Sequence, residues 1–128
     1  MIAFIHSRWK SIQIAFNGFI QVLSSEQNTW VHSAATILVI MLGIWLKLTH
    51  LAWAVLGIAI GLVWMAEFFN TSLEVLVNLI SPRHHPLART CKDISAGAVL
   101  IASVVSVVVG VLILGPPLWA KIITLFNR

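Results

Sequence analysis

Residues 51–80 read LAWAVLGIAIGLVWMAEFFNTSLEVLVNLI, and this stretch decides the fold. Its first sixteen residues, Leu51 to Ala66, carry no charge. At 1.5 Å per residue they cover roughly 24 Å of a hydrocarbon core about 30 Å thick. The helical period then continues past the membrane edge, through Glu67 to Ile80. At about 100° per residue, Glu67, Asn70, Glu74 and Asn78 share one stripe of that helix. Glu67 is expected near the membrane boundary and Glu74 roughly 10 Å further out. A carboxylate at that boundary costs several kcal/mol unless something uses it, so function is expected on this stripe.

Working outward toward the N-terminus, Thr49-His50 read as a tight turn, and a spanning helix is expected at about residues 30–48. Before it lies a polar break, Ser24-Ser25-Glu26-Gln27-Asn28. Residues 1–24 are amphipathic. Ile2, Ile5, Trp9, Ile12, Phe16, Phe19 and Leu23 step by three and four, and His6, Lys10, Gln13, Asn17, Gln21 and Ser24 form the opposite stripe. That pattern predicts a helix lying in the membrane interface, packed on the bundle or not. No cleavable signal peptide is evident. Toward the C-terminus, Ser81-Pro82-Arg83-His84-His85-Pro86 is a helix-stopping loop. A third span is expected at about residues 94–114, closed by Gly115-Pro116-Pro117 and followed by a short basic tail, 115–128.

The composition agrees. The 128 residues are 59% hydrophobic and 9% charged, against about 25% charged in an ordinary soluble domain. Polar surface is too scarce to cover a globule, so the class is all-α integral membrane protein in one small domain, 1–128. The net charge of +4 does not indicate a nucleic-acid partner, because the Lys and Arg residues flank apolar runs. Arg8, Lys10, Arg83, Arg89 and Lys92 fall on one side, and Lys47, Lys121 and Arg128 on the other. This bias puts the N-terminus and the 81–93 loop in the cytoplasm. The lone Cys91 excludes an internal disulfide. Gly57 and Gly61, and the series Ala98, Ala102, Ser106 and Gly110, mark faces where helices approach closely, within a chain or between chains.

Acids are rare here: Glu26, Glu67, Glu74 and Asp93 are the whole set. A carboxylate at Glu67 can accept a proton from an amphiphile's hydroxyl, because lipid headgroup oxygens sit at that depth. Glu74, nearer water, suits Mg²⁺, which takes one or two carboxylates plus phosphate oxygens. Either acid could instead be structural, held by hydrogen bonds or a Lys. Asp93 is placed to cap the third helix and Lys92 to meet phosphate as a point charge. Glu26 alone reads as a loop acid unless it reaches Glu74 to share a cation. The adjacent pair His84-His85 lacks the spacing of a helical metal site, and contact with phosphate suits it better. Neither a phosphate-binding glycine loop nor a nucleophile elbow is present.

These residues resemble a known family. Glu67-x-x-Asn70-Thr71-x-x-Glu74, then Pro82-x-His84-His85-Pro86-Leu87-Ala88 and Lys92-Asp93-x-x-Ala96-Gly97-Ala98-Val99-Leu100, are similar to motifs of the prokaryotic diacylglycerol kinases, which include undecaprenol kinases. Ala15-Phe16-Asn17-Gly18 and Glu26-x-Asn28-x-x-x-His32 resemble its N-terminal motifs, so the match covers about residues 11–113. The resemblance implies a surface helix plus three transmembrane helices, working as a homotrimer in the bacterial inner membrane. It implies transfer of the γ-phosphoryl of ATP, with Mg²⁺, to the hydroxyl of a diacylglycerol or a polyprenol such as undecaprenol. It gives Glu67 as the proton acceptor and Glu26 and Glu74 as metal carboxylates. It associates Glu26, Glu74, His84, His85, Lys92 and Asp93 with ATP, and Asn28, His32, Glu67, Asn70 and Ala96 with the lipid. Asn78, Arg83 and Trp30 depart from the family's usual Asp, Glu and Arg. Those departures motivate the alternative of a non-enzymatic scaffold or regulator that kept the fold. A small transporter with an intramembrane acid is the remaining rival.

Overall fold

A computed structural model describes residues 2–25, 27–81 and 85–127, with the side chains of 2–5, 25 and 27 left aside. The described residues form four helices: α1 (Ile2–Ser25), α2 (Gln27–Leu46), α3 (His50–Ile80) and α4 (Pro86–Phe126). Of these, α2, α3 and α4 are long and apolar enough to cross a membrane. In a bilayer every backbone polar group must be satisfied internally, which is why the apolar runs fold as helices.

The main packing is α3 against α4. The face that α3 buries runs Leu56, Ala59, Val63, Glu67, Asn70 and Thr71, and α4 answers with Ser95, Val99, Ala102 and Leu114. Small residues let the two backbones approach closely enough for Ser106 Oγ to donate to the Ala59 carbonyl at 2.9 Å. The Gly57–Gly61 pair faces elsewhere: both are exposed, and a Cβ on either would meet nothing within 4 Å. Most large apolar side chains, such as Ile58, Leu79 and Ile101, stay exposed on the single chain.

The α2–α3 hairpin is tight. Leu48 N–H donates to the Gly43 carbonyl at 3.2 Å and Lys47 N–H to the Ile44 carbonyl at 3.1 Å, a Schellman motif with Lys47 left-handed at φ 53°. The reversal is therefore made at Lys47-Leu48 rather than at Thr49-His50. Thr49 is the N-cap of α3, its side chain accepting from Ala52 N–H at 3.3 Å. A Cβ at Gly43 would lie 2.7 Å from the end of the Trp53 ring, so any larger residue there would have to displace that ring. Trp64 Nε1 donates to Thr36 Oγ1 at 3.1 Å and ties the same helices further along. The C-terminal part of α1 packs through Phe19, whose ring lies 5.5 Å from Phe68 and 5.8 Å from Trp64.

Two expectations about α4 are corrected. It starts at Pro86 with His85 as N-cap, whose Nδ1 accepts from Leu87 N–H at 3.2 Å. Proline at the first helical position is preorganised and loses no needed donor, so the helix begins well before Asp93, which lies inside it. At the other end α4 continues through Gly115-Pro116-Pro117 to Phe126 instead of closing at 114. The prolines deprive the carbonyls four residues earlier, those of Leu112 and Ile113, of their usual donors. Beyond them Lys121 fastens the extension, with Nζ 2.8 Å from the Trp45 carbonyl and 4.5 Å from the centre of its ring.

Candidate active site

Glu67 belongs to the buried face of α3 because its position continues the 56–59–63 spacing. Burial is nearly complete, with 1% of the residue exposed. Its Oε1 faces Thr29 Oγ1 on α2 at 3.5 Å, and its Oε2 lies 3.8 Å from His32 Nε2, one helical turn along α2. The first contact is at the long limit of a hydrogen bond, and the second is beyond it. Glu67 Oε2 is buried with no hydrogen-bond partner among the described residues. Thr29 is fully buried, and its hydroxyl also lies 3.3 Å from the Val22 carbonyl of α1. The carboxylate is thus held where α1, α2 and α3 meet, with one oxygen left for something else.

That carboxylate lines a cavity of about 240 Å³. Asn28, His32, Asn70 and Ala96 line it too, so all the residues expected to meet lipid surround one space. Val31, Val99, Leu100 and Ser103 complete most of the wall. The lining therefore offers a hydroxyl-sized polar corner and an apolar surround.

A hydrogen-bonded line leads outward from the cavity. Ser95 Oγ on α4 lies 2.7 Å from Asn70 Oδ1 and 2.9 Å from the Lys92 carbonyl. Asn70 Nδ2 donates to Glu74 Oε1 at 3.4 Å. Lys92 Nζ donates to Asn78 Oδ1 at 2.7 Å. A neutral amide as partner leaves the Lys92 charge uncancelled and turned toward the polar end of α3. Glu74 is half-buried and is a fitting donor for a hard cation that completes its shell with phosphate oxygens. Among the described residues no cluster of three His, Cys, Asp or Glu side chains could hold a metal ion by itself.

The other expected positions separate from this group. Asp93 is exposed and paired with Arg89 at 3.9 Å, one turn apart on α4. His85 uses Nδ1 to cap α4 and is otherwise exposed. Glu26 and His84 lie outside the described residues. Sequence reasoning passed over Thr29, Ser95 and Ser103, which the structure sets around the cavity or its supports. Thr29 adjoins Asn28, and Ser95 lies three residues from Lys92, so helical spacing alone was the available signal.

A family model described as prokaryotic diacylglycerol kinase matches residues 13–114. The chain is 36% identical over 110 residues to the undecaprenol kinase of Bacillus subtilis (strain 168), covering 86% of this chain and 89% of that protein. It is 37% identical over 109 residues to a diacylglycerol kinase of Synechocystis, covering 84% of this chain and 62% of that longer protein. It is also 29% identical over 86 residues to the diacylglycerol kinase of Escherichia coli (strain K12), covering 62% of this chain and 70% of that protein.

Proposed function

The chain belongs to the prokaryotic diacylglycerol kinase family, lipid kinases of the membrane, and from that premise we propose that it transfers the γ-phosphoryl of ATP, with Mg²⁺, to the hydroxyl of a diacylglycerol or a polyprenol such as undecaprenol. One observation carries the reading: Glu67 is buried, with an unpartnered carboxylate oxygen, in the wall of a cavity that it shares with Asn28, His32 and Asn70.

A lipid hydroxyl entering this cavity donates to Glu67 Oε2, which satisfies the orphaned oxygen and places the proton where it must go. Thr29 holds the other carboxylate oxygen, and His32 stands beside Oε2 without bonding it. Asn70, clamped between Ser95 and Glu74, positions the hydroxyl side of the cavity relative to the nucleotide side. Glu74, with Glu26, is the proposed holder of Mg²⁺, which when bound neutralises charge on the triphosphate. Lys92 offsets phosphate charge. His84, His85 and Asp93 are proposed to border the nucleotide. Phosphoryl transfer needs alignment and charge neutralisation more than covalent help, and this is a group of residues suited to both.

We place the enzyme in the bacterial inner membrane, with the N-terminus and the 81–93 loop in the cytoplasm where ATP is found. α1 is read as the interfacial helix. A homotrimer is supported by the open Gly57–Gly61 face and by the apolar surface that a single chain leaves exposed.

The experiment is transfer of radiolabel from γ-labelled ATP to undecaprenol or diacylglycerol in nanodiscs, comparing the wild-type chain with Glu67→Gln. Label should enter the lipid only with the wild-type chain, and only with Mg²⁺ present. Equal transfer by the variant refutes the assignment of Glu67, and transfer by neither chain to any lipid alcohol refutes the activity.

A further inference from the structure

A proton taken by Glu67 has to leave again before a second lipid can be phosphorylated. The Glu67 side chain is 1% exposed, so it cannot hand the proton to water directly. The cavity that it lines adjoins a second one of about 390 Å³, with His32 and Ser103 in the walls of both. Among the described residues lining the two spaces, Glu67 and His32 are the only titratable side chains. The other polar side chains there, those of Asn28, Thr36, Asn70, Ser103 and Ser106, are neutral amides and hydroxyls that do not take up a proton near neutral pH.

We propose that His32 relays the proton of each turnover from Glu67 to water. This rests on the reading of Glu67 as acceptor of the lipid's proton, and it adds the step that restores Glu67. The first argument is which oxygen takes the proton. Thr29 Oγ1 faces Glu67 Oε1, which leaves Oε2 to the lipid hydroxyl, and Oε2 is the oxygen that His32 Nε2 faces at 3.8 Å. The second is that distance. It is about 1 Å longer than a hydrogen bond, so Oε2 stays free while the lipid is bound, and a small rotation closes the gap once the product has gone. The third is exposure. The His32 side chain is 15% exposed against 1% for Glu67. It also sits in the second turn of α2, about 8 Å along the helix from its start at the polar break.

The step balances as follows. The lipid O–H bond breaks, its oxygen bonds the γ-phosphorus of ATP, and the bond from that phosphorus to the bridging oxygen of ADP breaks. The proton rests on Glu67 Oε2. Glu67 then gives it to His32 Nε2, and the ring becomes an imidazolium beside a carboxylate. The imidazolium loses one proton to water, which leaves a neutral ring and an ionised Glu67 for the next lipid.

A relay is needed for the second turnover and not for the first, and this separates it from a residue that only positions the lipid. His32→Gln keeps a polar side chain of similar size and removes the proton acceptor. The full chain in nanodiscs with undecaprenol is mixed rapidly with γ-labelled ATP and Mg²⁺. With sites in excess of ATP, each site turns over at most once from an ionised Glu67, and the His32→Gln rate should stay within about threefold of wild type. With ATP in excess, kcat should fall about tenfold to a hundredfold, toward the worth of a positioned proton-transfer group. Imidazole added to His32→Ala should raise its kcat about threefold or more and leave the wild type unchanged. The single turnover itself reports that the variant is folded. An equal loss in the single turnover and in kcat makes His32 a positioning residue and overturns the relay. An unchanged kcat in His32→Gln means that the departing phosphate carries the proton away, and overturns it too, as does a His32→Ala chain that imidazole leaves unrecovered. Glu67→Gln keeps the two levels apart. If it transfers label at the wild-type single-turnover rate, the reading of Glu67 has failed; if it is inactive while His32→Gln behaves as wild type throughout, the relay alone has failed.

Discussion

The buried face of α3 has two halves of opposite character. Leu56, Ala59 and Val63 are apolar; Glu67, Asn70 and Thr71 follow at the same helical spacing and are as deeply buried. Both halves pack against neighbouring helices of the chain. They differ in how far those neighbours satisfy them. In the apolar half the one hydroxyl that reaches it from α4, that of Ser106, finds the Ala59 carbonyl. In the polar half Asn70 is satisfied on both sides, yet Glu67 Oε2 and Thr71 Oγ1 have no partner among the described residues. Packing gains nothing from an orphaned carboxylate oxygen, and burying one costs free energy. The apolar half of the face therefore carries no unsatisfied polar atom, while the polar half does, and it is there that we place the lipid hydroxyl.

That contrast is broken most directly by exchanging effects between the halves. Glu67→Gln keeps the shape of the polar half and removes its proposed proton acceptor. Activity should fall by about 10²–10⁴-fold, the usual worth of a positioned general base, while thermal unfolding in detergent stays at or above the wild-type temperature. Leu56→Ala does the reverse. Leu56 is 2% exposed, and its truncation should cost about 2–3 kcal/mol of stability with turnover falling far less than in Glu67→Gln at temperatures where the protein remains folded. If Leu56→Ala abolishes turnover in folded protein, or Glu67→Gln lowers only stability, the two halves are not functionally distinct.

Ser95→Ala tests the join between structure and chemistry. It strips the donor 2.7 Å from Asn70 Oδ1 and leaves a buried amide oxygen without that partner, at a cost of about 1–3 kcal/mol. Because Asn70 also holds Glu74, the proposed Mg²⁺ ligand, KM for MgATP should rise several-fold as well. A loss of stability with unchanged nucleotide kinetics would make Ser95 a packing residue like Ser106.

The same contrast explains what could be read from residues alone. The spanning segments and the polar stripe were legible because length and helical period are one-dimensional signals. Glu67, Asn70 and Glu74 stand on one stripe whatever surrounds them. Their partners were not legible. Thr29 and Ser95 are single hydroxyls in apolar helices, and only the pairing of α2, α3 and α4 brings them to Glu67 and Asn70. The end of α4 was misjudged for a related reason. Gly115-Pro116-Pro117 stops a helix when nothing rewards its continuation, but Lys121 at the far end meets Trp45, a contact between residues 76 positions apart. Asp93 resembled a cap because the apolar run starts beside it, whereas the helix had already begun on the rigid φ of Pro86.

The smallest effect concerns the turn beneath the apolar half. Lys47 holds φ 53° to let Leu48 and its own N–H reach the carbonyls of Gly43 and Ile44, and its side chain is exposed. A left-handed residue with a Cβ costs about 1–2 kcal/mol relative to right-handed backbone. Glycine removes that cost but loses about 0.5–1 kcal/mol through the greater freedom of its unfolded chain. Lys47→Gly should therefore stabilise by about 0.5–1 kcal/mol, read as a small rise in the unfolding temperature, with kcat and KM unchanged for both substrates. The sign matters more than the size. A rise without kinetic change means the apolar end can be tightened independently of the catalytic end, as two separable halves require. A rise accompanied by slower turnover means that the hairpin must flex for the polar half to work, and the division drawn along α3 would then fail.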